Sequence, residues 1–300
     1  MSTTTQVAVE SQLEELRDRP GLIARTIELI RKQPVGAFGA LIVVVMILMA
    51  VFAQVLTNFD PEANAFEHML TAPDSTFWLG TDQFGRDQFT RIVYGAQTAL
   101  FVGFTAAFIG SSIGLVLGVS SAFFGGKFDL IFQRVIDVMM AFPLIIMALA
   151  IVAIFGTGVQ NVIIAITIPF IPKCARVVRS SALAIREIPY IDAARANGFS
   201  NTRIILRHMV PNVMAPYLIM ITTFVGQAIL LEASLSYLGL GVQEPTPAWG
   251  LMLSGGAEEY AESAPWVAIW PGVAISLAVF GFNMFGDAVR DVLDPKLRSQ

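Results

Sequence analysis

Long apolar runs alternate with short polar stretches along this chain. The first run, GAFGALIVVVMILMAVFAQVLT (36–57), contains no charged residue. A helix needs about 20 mostly apolar residues to cross the hydrocarbon core of a bilayer. The pattern therefore predicts an all-α integral membrane protein with six transmembrane helices between residues 36 and 287, at 36–57, 98–124, 136–155, 159–171, 215–231 and 266–285. The fourth of these is short, and Pro169 and Pro172 predict that it ends or kinks there.

Composition supports a membrane protein. The chain is 55% hydrophobic and 14% charged, with a mean hydropathy of +0.67, whereas typical soluble domains are about 45–50% apolar and about 25% charged. A soluble protein of this composition would lack polar surface. The single cysteine, Cys174, cannot form an internal disulfide. Residues 1–35 are charged and contain no early apolar run, so we expect no cleaved signal peptide.

Basic residues are concentrated in alternate segments. Of the 19 lysines and arginines, 17 lie on the side of the two termini, and only Arg86 and Arg91 lie in the opposite loops. Because positive residues favour the cytoplasmic side, both termini are predicted to be cytoplasmic. The predicted cytoplasmic segments are 1–35, the short loop around Lys127 and Arg134, 173–212 and 288–300, and the predicted outer loops are 58–97 and 232–265. Residues 1–35 also contain an amphipathic stretch that we expect to lie on membrane lipid.

The tetrapeptide Leu253-Ser254-Gly255-Gly256 is how the signature loop of ABC transport ATPases begins. Such an ATPase also needs a phosphate loop of the form G-x-x-x-x-G-K-[ST]. The only Gly-Lys pair, Gly126-Lys127, is followed by Phe128, and Ser121 stands where the first glycine is required. We therefore interpret 253–256 as a chance Ser-Gly-Gly turn in an outer loop, and we predict no catalytic residue and no ATPase site in this chain.

The stretch YIDAARANGFSNTRIILRHMVPN (190–212) predicts a short projecting helix. Pro189 and Asp192 are typical of a helix start, and Gly198 favours a C-terminal turn. Alanines at 193, 194 and 196 keep this helix thin enough for another protein to approach closely. A second helix is predicted at 202–209, and Pro211 is predicted to end it. From these residues alone, a docking element and an ordinary loop between spans both stay possible.

This stretch resembles the cytoplasmic coupling motif of ABC importer permeases, which reads Glu-Ala-Ala, three residues, Gly, nine residues, Ile-x-Leu-Pro. Asp192 replaces the glutamate, and His208 and Val210 replace the isoleucine and leucine. Three further stretches resemble the branch that contains the second permease subunits of dipeptide, oligopeptide and nickel importers: WLGTDQFGRDQFTRIVYGAQTAL (78–100), LEASLSYLGLGVQEPTPAWG (231–250) and FNMFGDAVRDVLDPKLR (282–298). The resemblance implies an ATPase-coupling loop with Asp192, Ala193, Ala194, Gly198 and Pro211 as its site residues.

The resemblance also implies a type I ABC importer permease fold in a bacterial cytoplasmic (inner) membrane. The implied partners are a homologous second permease subunit, two cytoplasmic ATP-binding subunits and an extracytoplasmic solute-binding protein, with no nucleic acid. ATP and Mg would be bound by the partner ATPase subunits, so no cofactor is expected in this chain. The implied cargo is a di- or oligopeptide, with nickel chelates, glutathione or oligosaccharides as alternatives. A stand-alone secondary transporter is disfavoured, because the spans carry almost no central charge.

Three ionisable residues near span ends are candidate sites. Arg134 and Asp137 lie three residues apart at the entry of the third span, where they are predicted to form an ion pair or to act as a gate. Glu232 lies just past the predicted fifth span, at the outer mouth of the pathway, where a structural role and a cargo contact are both open. Neither His68 nor His208 has neighbouring ligands in the sequence, so no metal site is predicted.

Overall fold

The computed structural model describes residues 30–293, and these residues form a bundle of helices without a β-strand. The predicted amphipathic segment 1–35 and the tail 288–300 therefore lie largely outside the described residues. In chain order the helices are α1 (Pro34–Val51), α2 (Ala53–Leu56), α3 (Gln88–Phe124), α4 (Gly126–Met140), α5 (Leu144–Phe155), α6 (Val159–Arg186), α7 (Pro189–Ala196), α8 (Asn201–Ile204), α9 (Met214–Tyr237), α10 (Trp249–Glu259) and α11 (Trp266–Leu293).

Five helical stretches of the described chain are long and apolar enough to cross a membrane: α1, α3, α6, the run Asn201–Tyr237 that contains α8 and α9, and α11. Helices α4 and α5 pass the same test together but are bent by 90°, which is the geometry of a broken span or of a re-entrant loop. The predicted all-α architecture with six crossings is therefore reproduced when this bent pair is counted as one span.

The third span differs from its prediction as one continuous helix over 136–155. Helix α4 ends at Met140, and α5 begins only at Leu144. Pro143 adopts an extended conformation, with ψ of 137°, and a proline also disfavours helical geometry at the residue before it. The local chemistry of Phe142-Pro143 therefore breaks the span.

The fourth span was predicted to be short, and that prediction was wrong. Helix α6 runs for 28 residues and contains both Pro169 and Pro172 in its interior. Both prolines are buried, and a proline is tolerated in a membrane helix where neighbouring groups compensate for the lost hydrogen bond. Packing against other helices thus keeps α6 continuous.

Helices α3 and α6 make the most extensive contact of the bundle. Gly110, Gly114 and Gly118 follow each other at intervals of four residues, so they lie on one face of α3. A Cβ atom built on Gly114 would lie 2.6 Å from the Cβ of Cys174 in α6. Small residues at this spacing let membrane helices approach backbone to backbone, and here they join the second and fourth spans.

The bundle has two chemically different ends. The acidic end comprises residues 57–87 and 238–265, and there the indole N–H of Trp266 donates to the carbonyl of Thr81 at 3.1 Å. The basic end carries α7 and α8, and there Gln33 beside α1 donates to Asp291 of α11 at 3.3 Å.

Helix α10 at the acidic end contains Leu253-Ser254-Gly255-Gly256, so the predicted Ser-Gly-Gly turn is in fact helical. A Cβ on Gly256 would lie 2.7 Å from the carbonyl carbon of Val267. This glycine therefore allows α10 to pack closely against the start of α11, which gives the tetrapeptide a packing role at the acidic end.

Candidate functional site

The predicted docking segment forms helix α7 at the basic end. Pro189 occupies its first turn, as predicted, and Asp192 also lies in that turn. Beyond the helix, Gly198 has a φ of +76°, a backbone conformation that glycine adopts at little cost. The Phe199 N–H then donates to the Ala194 carbonyl at 3.2 Å, which closes the turn.

One face of α7 is buried against its own chain. Ile191 is 0% exposed and Ala194 is 7% exposed, and both belong to the main hydrophobic core. The predicted docking residues therefore fall on two faces, because Ala194 is inside whereas Ala193 is exposed. We define the docking face as the exposed residues Asp192, Ala193, Ala196 and Asn197.

The two polar side chains of the docking face already have partners within residues 192–197. The carboxylate of Asp192 lies 3.1 Å from Nη1 of Arg195, and the Asn197 amide donates to the Ala193 carbonyl at 2.8 Å. An exposed pair of this kind contributes little stability, typically below about 1 kcal/mol. The face is therefore a short, small-residue surface whose single carboxylate can exchange its partner at low cost.

Pro211 does not end the second helix, contrary to prediction. Helix α8 passes into a π-helical turn (Ile205–Met209), then into a 3₁₀ turn (Val210–Val213), and then directly into α9. Pro211 has no backbone N–H to donate. The change from π-helical to 3₁₀ hydrogen bonding around it lets the helix continue without that donor. Helix α8, which follows α7 after the turn at 197–200, is thus joined to a membrane span without an intervening loop.

The π-helical turn is tied to α7 through one carbonyl group. The His208 carbonyl accepts the Tyr190 hydroxyl at 3.1 Å and the Asn212 side-chain amide at 2.6 Å. Tyr190 belongs to α7, and Asn212 leads into α9. Helix α7 is therefore connected to the start of α9 through the hydrogen bonds of Tyr190, His208 and Asn212.

The predicted ion pair between Arg134 and Asp137 does not form. Asp137 instead pairs with Arg176 of α6, and Arg134 is exposed without an ion pair to any residue in the described part of the chain. The neighbouring Asp129 of α4 accepts two hydrogen bonds from Arg179 of α6, at 2.6 and 2.5 Å. Two acidic residues of α4 are therefore held by two arginines of α6.

Glu232 lies inside α9, not past the end of the span as predicted. Its side chain is buried, with 1% exposure, and it accepts the Ser236 hydroxyl at 2.7 Å. The Ser236 oxygen in turn accepts the Val242 N–H at 3.1 Å. Glu232 therefore links the end of α9 to the following loop, which favours the structural role over the cargo contact.

A charge cluster at the acidic end, in which Asp82, Arg86 and Arg91 are buried and Glu244 is exposed, was not predicted from the sequence. Arg86 contacts Asp82 at 2.7 Å and Glu244 at 2.6 Å, and Arg91 lies 3.7 and 3.5 Å from the same two carboxylates. Burial lowers the pKa of the Arg86 guanidinium, but Glu244 and Asp82 outweigh this effect and leave that pKa raised. The sequence contained a sign of this cluster, because Arg86 and Arg91 are the only two lysines or arginines in the loops predicted to be outside.

No group of three or more histidine, cysteine or carboxylate side chains in residues 30–293 is placed to hold a metal ion. For the whole chain, the lack of a metal site stays a prediction from the sequence.

The sequence of this helical bundle, including its docking segment, matches a known protein family. Residues 114–299 match the family described as "Binding-protein-dependent transport system inner membrane component". This chain belongs to that family. Residues 22–73 also match the "N-terminal TM domain of oligopeptide transport permease C". Permeases of binding-protein-dependent transport systems are multi-pass membrane proteins, so the predicted family and the all-α membrane fold are confirmed.

Curated relatives cover nearly the whole permease. It is 44% identical to the dipeptide transport system permease protein DppC of Alkalihalophilus pseudofirmus, over 90% of this chain and 88% of the relative. It is also 44% identical to the glutathione transport system permease protein GsiD of Shigella flexneri, over 89% of this chain and 88% of the relative.

A solved structure shares the fold. The inward-facing MetNI methionine ABC transporter matches with a TM-score of 0.55 at 20% identity, over 68% of this chain and 96% of that chain. The type I importer permease fold predicted from the resemblance is therefore confirmed by structural similarity.

Proposed function

We propose that this permease is one of two permease subunits in an ATP-driven importer of di- or oligopeptides. It would form half of the translocation pathway, and a homologous second permease subunit would form the other half. The names of the relatives support this cargo class, since dipeptides and glutathione both contain peptide bonds and free carboxylates. Nickel chelates and oligosaccharides stay the alternative cargoes.

The observation that carries the proposal is the exposed docking face of α7. The helix is anchored by Ile191 and Ala194 and is linked through α8 to the span α9. Its docking face carries only small or short side chains, between the exposed side chains of Tyr190 and Arg195. Small residues allow the backbone of a partner to approach closely. We infer that each of two ATP-binding subunits docks on such a helix and that docking moves α9.

The remaining partners follow from the lack of a phosphate loop in the sequence. ATP and Mg would be bound by the two cytoplasmic ATP-binding subunits, and this chain would have no ATPase activity of its own. A solute-binding protein would dock at the acidic end, outside the bacterial inner membrane. A stand-alone secondary transporter would need none of these subunits.

Ala193→Trp tests the docking proposal. The indole would project from the docking face without entering the core of this chain, because Ala193 is exposed. Overpacking a close contact costs about 1–3 kcal/mol, which is about five- to 150-fold in affinity. We expect the variant to insert and fold normally but to lose co-purification of the ATP-binding subunits and cargo uptake.

The matched control is Ala63→Trp, the same substitution at an exposed alanine of the acidic end. It should retain the ATP-binding subunits at the wild-type ratio. Ala194→Trp is a second comparison, since it enters the core and should also lower the thermal stability of the isolated chain. Full retention of the ATP-binding subunits by Ala193→Trp would refute the docking role of α7.

The proposed orientation has its own test. Ser75 lies at the acidic end and Thr202 at the basic end, and both are exposed, whereas the native Cys174 is buried. In intact cells we expect Ser75→Cys to react with a membrane-impermeant thiol reagent, and Thr202→Cys to react only after the inner face is opened. The reverse pattern would place the termini outside and contradict ATP-driven coupling at α7.

A further inference from the structure

The break between α4 and α5 leaves irregular backbone on the surface of this chain. Residues 141–143 are all exposed, and the two helices are bent by 90° at this point. Within the hydrocarbon region, non-helical backbone is tolerated only where protein covers it or where it lines a water-filled cavity. The break is therefore not a surface that faces lipid.

The break also lies deep in the membrane. Helix α5 has 12 residues, which place the break about 18 Å from its far end at 1.5 Å per residue. On α6, Lys173 is 14 residues from Val159, or about 21 Å by the same rise. Both distances start at the acidic end, where the Gly158 N–H beside α6 donates to the Gly241 carbonyl. With that end at the boundary of a hydrocarbon core about 30 Å thick, the break and Lys173 lie at similar depth inside the core. The cytoplasmic segment that the sequence predicted to begin at residue 173 then begins further along α6.

A small cavity lies between the break and Lys173. It measures about 80 Å³ and is lined by Met139, Met140, Phe142 and Met147 of the broken span and by Pro172 and Lys173 of α6. Methionine side chains are flexible and polarisable, so they adapt to partners of different shape. The volume suits a small charged group, and the methionines surround that group with an adaptable apolar wall.

Lys173 makes no hydrogen bond or ion pair with any residue in 30–293, and it is half-buried. One and two turns further along α6, Arg176 and Arg179 are both paired with acidic residues of α4. Lys173, Arg176 and Ser180 follow one another on one face of α6, which makes this face polar. A charged residue inside a membrane normally faces a water-filled cavity or a partner charge.

Taken with the proposed peptide cargo, on which this step rests, the geometry points to Lys173 as a cargo-binding residue of the translocation pathway. Its ammonium group pairs with a carboxylate of the peptide in transit, while the methionines at the break contact the apolar part of the peptide. The chemical class of the ligand is thus a small carboxylate-bearing peptide. The competing explanation is a lysine that extends to the lipid headgroups.

Uptake by the complete importer tests this role. The wild-type permease and its variants are assembled with the ATP-binding subunits, the second permease subunit and the binding protein in proteoliposomes, and uptake of radiolabelled dialanine is measured. Lys173→Gln should lower uptake at least about tenfold, the loss expected for one charge-assisted hydrogen bond. Lys173→Arg keeps the charge and should stay within about threefold of wild type by the same conversion.

The matched control is Lys127→Gln, at an exposed lysine in the first turn of α4. Lys127→Gln should transport dialanine as wild type does. All variants should retain the ATP-binding subunits and the ATPase activity measured without cargo, because neither lysine lies on the docking face. Equal uptake by Lys173→Gln and wild type would overturn the proposed role.

Thiol labelling separates a water-filled path from a lipid-facing lysine. Lys173→Cys should react with a charged, membrane-impermeant methanethiosulfonate reagent, and dialanine should slow the reaction. Ile164 lies on the opposite face of α6 and is 40% exposed, so Ile164→Cys should stay unreactive in the bilayer. An unreactive Cys at position 173 would support the headgroup explanation and overturn the inference.

Failure of the cargo proposal gives a different result. A wild-type complex that takes up neither dialanine nor glutathione would refute the peptide importer, and the role of Lys173 with it. Wild-type uptake of either compound, together with undiminished uptake by Lys173→Gln, would refute only the role of Lys173.

Discussion

Gly114→Ala should strongly destabilise the bundle, although it adds only one methyl group. The new Cβ would lie 2.6 Å from the Cβ of Cys174 and 3.0 Å from the backbone N of Ala175. Overpacking costs about 1–3 kcal/mol in a typical core. We expect the upper part of this range or more, because backbone atoms of α6 cannot rotate away as the end of a side chain does.

The matched control is Gly272→Ala in α11. Its nearest contact would be Cδ1 of Leu253 at 3.9 Å, an ordinary van der Waals distance, and alanine favours a helix over glycine by about 0.8–1.0 kcal/mol. Gly114→Ala should therefore lower the thermal unfolding midpoint, whereas Gly272→Ala should raise it. The measurement is the thermal unfolding midpoint of each detergent-purified variant, and a midpoint for Gly114→Ala equal to that of Gly272→Ala would show that α3 and α6 do not touch through their backbones.

The close contact between α3 and α6 shows what hydropathy predicts and what it misses. Apolar runs located all six crossings, because burial in lipid depends on the average character of each segment. Hydropathy carries no information on which spans touch. The spacing of Gly110, Gly114 and Gly118 carried that information, since three small residues on one helical face mark a packing surface.

Prolines were harder to interpret, because their effect depends on the surroundings. Pro143 breaks a span where the backbone is exposed, whereas Pro169 and Pro172 lie within a continuous helix where both are buried. The sequence alone does not reveal whether neighbouring helices compensate for a lost hydrogen bond. The fourth span was therefore predicted too short, and the third was predicted without its break.

The docking segment was predictable where its chemistry is local. Pro189 and Gly198 act on the backbone beside them, so the start and end of α7 followed from the sequence. The burial of Ala194 depends instead on the core beneath it. The partner of Asp137 was missed for the same reason, since Arg176 is 39 positions away in sequence, while Arg134 is three positions away but points to the surface.

Arg91→Met should impair the function of the acidic end of the bundle and leave the function of the basic end intact. The Arg91 side chain is 0% exposed and its Nη1 donates to the Pro61 carbonyl at 2.7 Å and the Pro245 carbonyl at 3.2 Å. Together with its contacts to Asp82 and Glu244, it holds both acidic-end loops to the start of α3. Methionine fills much of the same volume but supplies neither the charge nor the hydrogen bonds.

Removing one partner of a buried ion pair typically costs about 3–5 kcal/mol. A cost of this size shifts the equilibrium between acidic-end loops held against α3 and loops released from it by more than about a hundredfold. The proposed binding protein needs this surface, whereas α7 lies at the opposite end. We therefore expect Arg91→Met to lose uptake of dialanine by at least about a hundredfold and to retain both ATP-binding subunits in co-purification.

Arg134→Met provides the matched control, because Arg134 is exposed and makes no ion pair with the described residues. It should keep both uptake and co-purification. Arg91→Lys restores a charge but not the two-sided guanidinium, so its uptake should fall between wild type and Arg91→Met. Loss of the ATP-binding subunits from Arg91→Met would mean that the cluster supports the whole bundle. Loss of uptake alone would mean that the cluster shapes the surface for the binding protein, because that protein is proposed to dock at the acidic end, where the cluster lies.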